Sequence, residues 1–302
     1  MDEAVNTLSG LDWKLYLSIF LVVSHMYSFV TRTFVMPRNA PAAPVISKGS
    51  SAVEKITAYV FQGSGVSVSS SPFSTKLTMF CRLAGIPHVV KEADMQRAPN
   101  GKVPYIVHDG NCVGDSQLII RYMENTFNIK NTAKSVIDKN TYSGLLKHPY
   151  VCYDNLNPKD QAICNMVRLM CEGELYWGMC GMRWLGKLGM GKSETLWHNT
   201  IASYFEAIPA FIRPVIVAMV RVSVHNDAYA QGLARHAPED QMLFIKRDIK
   251  SLSSLLDKKL FFLGDFPCEC DCVAFGVLGM SWCAVHLRII LTCVYCHCIL
   301  YY

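Results

Sequence analysis

The stretch SPFSTKLTMFCRLAGIPHVVKEADMQRAPNGKVPYIVHDGNCVGDSQLIIRYMENTF, residues 71–127, decides the fold of the first half of this chain. Apolar residues at helical spacing predict one helix over 72–84 and another over 116–127. Between them, two β-rich runs flank an Asp-Gly pair that is typical of a hairpin turn. The predicted strands, counting one before this stretch, cover 55–62, 88–91, 103–108 and 111–114. The resulting order is β-α-β followed by β-β-α.

The rest of the chain carries helical patterns. From Asp160 onward no run has the signals of a strand, and the predicted helices cover 160–185, 193–205 and 239–256. Pro209 and Pro214 are expected to break the stretch between the second and the third of these helices. The sequence therefore predicts an all-helical second domain.

A hydrophobic segment precedes both predicted domains. Residues 15–30 read LYLSIFLVVSHMYSFV, in which 12 of 16 residues are apolar and none carries a fixed charge. A membrane span needs about 20 residues, so a peripheral or buried helix is an equally good interpretation. As a signal anchor, residues 13–30 would contact the membrane, and the basic residues after them would place the bulk of the chain in the cytosol. Anchor and Pro-rich linker together form region 1–51.

The composition argues against some classes of protein. The chain has 302 residues, is 51% hydrophobic and carries a net charge of +5. No block of like charges stands out, so nucleic acid is not expected as a partner. The cysteines scattered through the first two-thirds of the chain lack disulfide or zinc spacing, which indicates a reducing, cytoplasmic compartment.

The start of the first helix carries two hydroxyl groups. Ser71 and Ser74 flank the Pro-Phe pair with which this helix begins. A hydroxyl at a helix N-terminus can donate to a thiolate and lower the pKa of that thiol. The alternative is that Ser71 only caps the helix. No cysteine occupies this helix start, so attack by a thiol of the protein on a disulfide is poorly supported.

Two further steps in the chain predict ligand contacts. Val103-Pro104 opens a strand, and its context favours a cis peptide over an ordinary trans proline. Asp115-Ser116 opens the second helix, where free N–H groups and the helix dipole form an anion site. Asp115 can also serve as the N-cap, and both roles are compatible.

Six motifs resemble the cytosolic glutathione transferase superfamily. They are SPFSTKL at 71–77, GKVPYI at 101–106, DSQLIIRYM at 115–123, ELYWGMCGMRW at 174–184, QGLARHAPED at 231–240 and LDKKLFFLGDFPCECDCVAFG at 256–276. The last three are more specific and are similar to the failed-axon-connections proteins, the metaxins and the cadmium-responsive nematode relatives. The resemblance implies an α/β thioredoxin-like domain over 52–130 and an all-α glutathione transferase C-terminal domain over 131–280.

The resemblance also implies a ligand and a function. Glutathione is expected as a substrate for conjugation to electrophiles. The two serines would stabilise its thiolate, the Val-Pro step would pair with its backbone, and Asp115-Ser116 would hold its γ-glutamyl end. One alternative is a non-catalytic interaction or sorting module with protein partners, as in axon development or in metaxins. A weaker one is a cadmium or metal response. The sequence leaves the oligomeric state open, with a dimer as one option.

Three departures from the family pattern stand out. Only six residues separate Asp94 from Gly101, which is too short for the second helix of ordinary transferases. Cys268 replaces the hydroxyl residue of a capping box that keeps Asp271, and the loss is expected to cost about 1 kcal/mol. Region 281–302 is hydrophobic and Cys-rich, which indicates a divergent or alternatively spliced end.

The late cysteines are arranged as C-x-C-x-C and C-x2-C-x-C. They are Cys268, Cys270, Cys272, Cys293, Cys296 and Cys298. Thiolates suit zinc, copper(I) or cadmium. The first group, however, is expected to enter a helix, where alternate residues point apart. We therefore assign no metal ligands from the sequence.

Overall fold

A four-stranded sheet organises the N-terminal domain. The structure, a computed structural model, describes residues 56–61, 63, 69–127, 129, 150–185, 205 and 208–285. The strands are β1 (Ile56–Val60), β2 (His88–Glu92), β3 (Tyr105–His108) and β4 (Asn111–Gly114), in the order β2-β1-β3-β4. β1 pairs in parallel with β2 and antiparallel with β3, which pairs antiparallel with β4. The order of strands and helices that the sequence predicts along this part of the chain is confirmed.

Local sequence explains this sheet. Ile56, Ala58 and Val60 alternate with less buried residues, so the central strand β1 buries one face completely. Asp109 and Gly110 both have positive φ, at 49° and 74°, as a two-residue hairpin turn of this kind requires.

Two helices pack with the sheet. They are α1 (Pro72–Leu83) and α2 (Ser116–Thr126), and their apolar side chains share one core with β1 and β3. Pro72 occupies the first turn of α1, where its missing N–H is not needed. Between β2 and β3 the chain makes only turns, including the 3-10 turn Pro99–Gly101. The predicted loss of the second helix is confirmed.

The helical domain contains α3 (Pro158–Met170), α4 (Tyr176–Cys180), α5 (Arg213–Gln231), α6 (Pro238–Leu256) and α7 (Glu269–Val285). The π-helical turns Cys171–Leu175 and Gly181–Leu185 extend α3 and α4, so the helix predicted over 160–185 is confirmed.

The prediction that Pro214 breaks the stretch between the second and the third predicted helices is wrong. Pro214 lies in the first turn of α5, where proline is tolerated. The helix predicted over 193–205 lies outside the described residues, apart from Phe205.

Helix α7 joins the two domains. Its Cys272 packs in the core beneath the sheet, whereas Cys270 and Val273 pack in the core of the helical domain. Gly276 allows α7 to approach α1 closely, because a Cβ there would lie 2.5 Å from the carbonyl oxygen of Pro72. Helix α7 therefore packs against α1 and contributes to the cores of both domains.

Within the described ranges, no helix is both long and apolar enough to cross a bilayer. The hydrophobic segment 13–30 and the linker after it lie outside these ranges, and so does most of the tail over 281–302. The membrane anchor therefore has no support from the structure and stays a prediction.

Candidate functional site

The strand register brings two of the predicted ligand-binding steps to one edge of the sheet. Tyr59, near the end of β1, pairs with Tyr105, which in turn pairs with Gly114 at the end of β4. Pro104 directly precedes Tyr105, and Asp115 directly follows Gly114. Both therefore lie at the edge where β1 ends.

The start of α1 is tied to the same edge. Ser69 Oγ donates to the carbonyl oxygen of Phe61 at 2.7 Å and accepts a hydrogen bond from Ser71 N at 3.1 Å. Phe61 directly follows β1, so these two bonds hold the first turn of α1 beside the end of that strand. The structure therefore brings together three segments that are separated in sequence.

The two candidate hydroxyls differ in their surroundings. Ser71 is the N-cap of α1, and its Oγ accepts from Ser74 N at 3.4 Å. The capping interpretation is confirmed, and a hydroxyl that accepts this bond still has a proton to donate. Ser71 is 9% exposed, whereas Ser74 is 0% exposed and its Oγ has no hydrogen-bond partner among the described residues. Ser71 is thus the better placed of the two for contact with a dissolved ligand.

The start of α2 is capped by its own carboxylate. Asp115 has φ 70°, and its Oδ1 accepts from Gln117 N at 2.8 Å and Leu118 N at 3.2 Å. The predicted N-cap role is confirmed. Because a helix start offers few free N–H groups, this cap leaves Ser116 as the first-turn residue whose N–H the carboxylate of Asp115 does not engage. The anion site is therefore smaller than the sequence suggests.

The Val103-Pro104 peptide is cis, as predicted. Val103 is half-buried and Pro104 is buried. The short connection ahead of them is packed tightly, because a Cβ on Gly114 would come within 2.8 Å of Pro99 Cβ. Glycine at this position lets the connection rest directly on β4.

The helical domain contacts the start of α1. Arg183 is buried, and its Nη1 donates to the carbonyl oxygen of Ser70 at 3.1 Å. The rings of Phe73 and Tyr176 lie 5.0 Å apart. The hydrogen bond from Arg183 holds the segment that leads into Ser71.

A buried ion-pair network links α1 to the helical domain through Lys76. Lys76 Nζ contacts Gln117 Oε1 at 2.7 Å and Glu172 Oε1 at 2.8 Å, and Arg168 Nη1 contacts Glu172 Oε2 at 3.1 Å. Burial raises the pKa of Glu269, and the charge of Lys76 partly offsets this rise. Sequence reasoning missed this network. The available signal was a lysine three residues after Phe73, on the apolar side of the predicted helix.

Three buried thiols form a second cluster, which we call the sulfur cluster. Cys164 of α3, Cys268 and Cys270 have sulfur atoms within 4.8 Å of one another, and those of Cys268 and Cys270 are 3.1 Å apart. Hydrogen bonds with Cys268 and Cys270 lower the pKa of the Cys164 thiol. The nine cysteines whose side chains the structure describes are all free. Among the residues that the structure describes, these three form the one group of side chains that could hold a metal ion.

The N-terminal cap of α7, formed by Cys268 and Asp271, differs from the capping box that the sequence suggests. Cys268 Sγ donates to Asp271 Oδ2 at 3.2 Å, so the thiol is a donor to the carboxylate. Asp271 N bonds instead to the carbonyl oxygen of Cys268 at 3.2 Å. The carboxylate also accepts from Cys268 N and Phe262 N, each at 2.9 Å. Asp271 therefore remains the capping residue without a hydroxyl partner.

Comparison with known proteins gives matches in both halves of the chain. A glutathione S-transferase N-terminal domain model matches residues 72–148, and a glutathione S-transferase C-terminal domain model matches residues 245–293. The isoprene-epoxide–glutathione S-transferase of Rhodococcus sp. (strain AD45) is 29% identical over 217 residues, which cover 69% of this chain and 79% of that protein.

Two further proteins extend the comparison. Failed axon connections of Drosophila melanogaster is 27% identical over 255 residues, which cover 80% of this chain but only 54% of that protein. The crystal structure of glutathione transferase GSTFuA3 from Phanerochaete chrysosporium is 12% identical and covers 77% of this chain and 86% of that chain, with a TM-score of 0.48. The two domain matches and the two sequence relatives show that the chain is similar to glutathione S-transferases in both of its halves.

Proposed function

We propose that this protein binds glutathione where β1, β3 and β4 meet the start of α1, and conjugates its thiol to small electrophiles. The observation that carries the proposal is the strand register, which gathers the cap of α1, the Val103-Pro104 step and Asp115 at one sheet edge. The similarity to glutathione S-transferases supports a cysteinyl peptide as the ligand of this edge.

Ser71 is the group that we assign to the glutathione thiolate. Its hydroxyl lies at the N-terminus of α1, where the helix dipole favours negative charge. A hydrogen bond to the thiolate lowers the pKa of the thiol and increases the fraction of reactive anion. Ser74 supports this position through its N–H, which holds Ser71 Oγ.

The binding should be weak. Asp115 and Ser116 would receive the γ-glutamyl end, but Asp115 already engages two amides of α2. The turns between β2 and β3 also replace a helix that lines the site in ordinary transferases. We therefore expect a dissociation constant for glutathione in the millimolar range.

Calorimetric titration with glutathione tests the binding, and two electrophiles test the transfer. One is 1-chloro-2,4-dinitrobenzene. The other is a small epoxide, chosen because the Rhodococcus relative is named for isoprene epoxide. Conjugation above the non-enzymatic rate is the expected result. Absence of binding at millimolar glutathione would remove the proposal.

Ser71→Ala tests the assigned role. Losing one preorganised donor should lower kcat/KM by about 100-fold, with little change in the urea midpoint beyond that of a lost cap. Ser251→Ala, on the exposed side of α6, is the control and should keep the wild-type rate. A wild-type rate in Ser71→Ala would refute the role of this hydroxyl, and a loss found only in Ser74→Ala would transfer that role to Ser74.

A second candidate function is a non-catalytic module that binds glutathione or a protein partner. The specific observation in its favour is the carboxylate of Asp115, which engages the amides that a ligand would use. Failed axon connections is a relative of this chain. Binding of glutathione without turnover of either electrophile would favour this second function.

A further inference from the structure

The sulfur cluster takes no part in the proposed glutathione site. We propose that Cys164, Cys268 and Cys270 bind one thiophilic d10 cation, of the copper(I), zinc or cadmium class, through three sulfur ligands. The side chains come from two helical segments, α3 and the start of α7, so the site would join two elements of the helical domain.

The distances suit one shared ion. A metal about 2.3 Å from each of three sulfurs in a plane would place those sulfurs about 4 Å apart. The three sulfurs of the cluster lie within 4.8 Å of one another, and those of Cys268 and Cys270 are 3.1 Å apart. Shifts of about 1 Å, which are within the reach of χ1 adjustments, would complete the site.

The local backbone explains why two cysteines separated by one residue converge. Cys268 lies just before α7, in an isolated bridge with Val151, so it does not follow the helical spacing. Cys270 lies in the first turn of α7. The expectation that alternate residues point apart is therefore wrong for this pair. Cys164, more than 100 positions earlier in the sequence, supplies a third sulfur that no spacing rule would find.

The cluster is also held in place. Asp271 accepts hydrogen bonds from Phe262 N and Cys268 N, each at 2.9 Å, and so fixes the entry into α7. Supporting contacts of this kind orient metal ligands in known sites. The geometry of Cys268 therefore does not depend on an ion to arrange it.

The donor set selects the class of ion. All three donors are sulfur, and Cys164, Cys268 and Cys270 are each 1% exposed or less. Magnesium and calcium need oxygen ligands and keep bound water, whereas thiolates select soft ions. The site therefore suits a cation that loses its water shell readily.

Metal retention in the full-length chain tests the proposal. Cys293, Cys296 and Cys298 are first replaced by Ser, so that thiols outside the described residues do not contribute. The reduced protein is then incubated separately with cadmium(II), zinc(II) or copper(I), dialysed and analysed for metal. We expect one equivalent per chain in at least one arm, three sulfur neighbours by X-ray absorption, and a higher Tm, because the ion binds only the folded state.

Two variants in this background make the test specific. Cys270→Ser should lose most of the bound equivalent. Cys81→Ser, which removes a buried thiol of the sheet domain, should retain it. Two outcomes would overturn the proposal. One is that Cys270→Ser still binds a full equivalent of metal, and the other is that the parent protein retains none of the three cations. If Cys270→Ser does not fold, the sulfur count in the parent decides, and fewer than three sulfurs would overturn it.

Discussion

Replacing Lys76 by Met should destabilise the protein by about 3 kcal/mol. The side chain of Lys76 is 2% exposed, and its Nζ lies 2.8 Å from Glu172 Oε1. Two unit charges at this distance attract by about 6 kcal/mol at an effective dielectric constant of about 20. Removing one partner of a buried pair costs about 3–5 kcal/mol. Arg168 remains to neutralise Glu172, with Nη1 at 3.1 Å, which favours the lower end of that range.

Urea unfolding followed by tryptophan fluorescence measures this loss. A change of about 3 kcal/mol also corresponds to a fall in Tm of about 6–12 °C for a protein of this size. Lys91→Met, at an exposed position of β2, is the matched control and should change the free energy of unfolding by less than about 0.5 kcal/mol.

A double variant separates the ion pair from simple packing. Lys76→Met combined with Glu172→Leu removes both charges, so it should recover most of the stability lost in Lys76→Met alone. Two results would refute the reasoning. One is a single variant within about 1 kcal/mol of wild type. The other is a double variant whose loss equals the sum of the two single losses.

Two further predictions concern the helical domain. Burial, followed by the neighbouring Glu174, raises the pKa of Asp248 to about 6. The folded state then binds this proton more tightly than the unfolded state, so stability from this group falls as pH rises from about 4 to about 6. Asp248→Asn should flatten that fall in urea midpoints, and the exposed Asp265→Asn should not. Gly276→Ala should destabilise by about 1–3 kcal/mol, because its Cβ would meet the backbone of α1. Gly279→Ala has open space on the same helix and should stabilise by up to about 1 kcal/mol, so equal effects of the two would contradict this account.

Local patterns predicted most of the elements near the site. The alternation in β1, the Asp-Gly turn and the spacing in α1 are each contained within a dozen residues, so a single sequence exposes them. Element ends differ by one or two residues: β3 begins at Tyr105, whereas the predicted strand begins at 103. The prediction for Pro214 was wrong because proline occurs both after the end of a helix and in the first turn of one. Which of the two applies depends on whether a helix follows the proline.

The sequence by itself determined the sheet domain and the helical domain. Those features follow from hydrophobic period and turn chemistry over short distances. Only the tertiary structure decided that Ser71 is more accessible than Ser74, that Lys76 pairs with Glu172, and that Cys164 meets the cysteines of α7. The accessibility of the serines and the partners of Lys76 and Cys164 are all set by how separate helices pack together. No local pattern encodes that packing, because the free energy of burying a polar group depends on which partner the whole fold supplies.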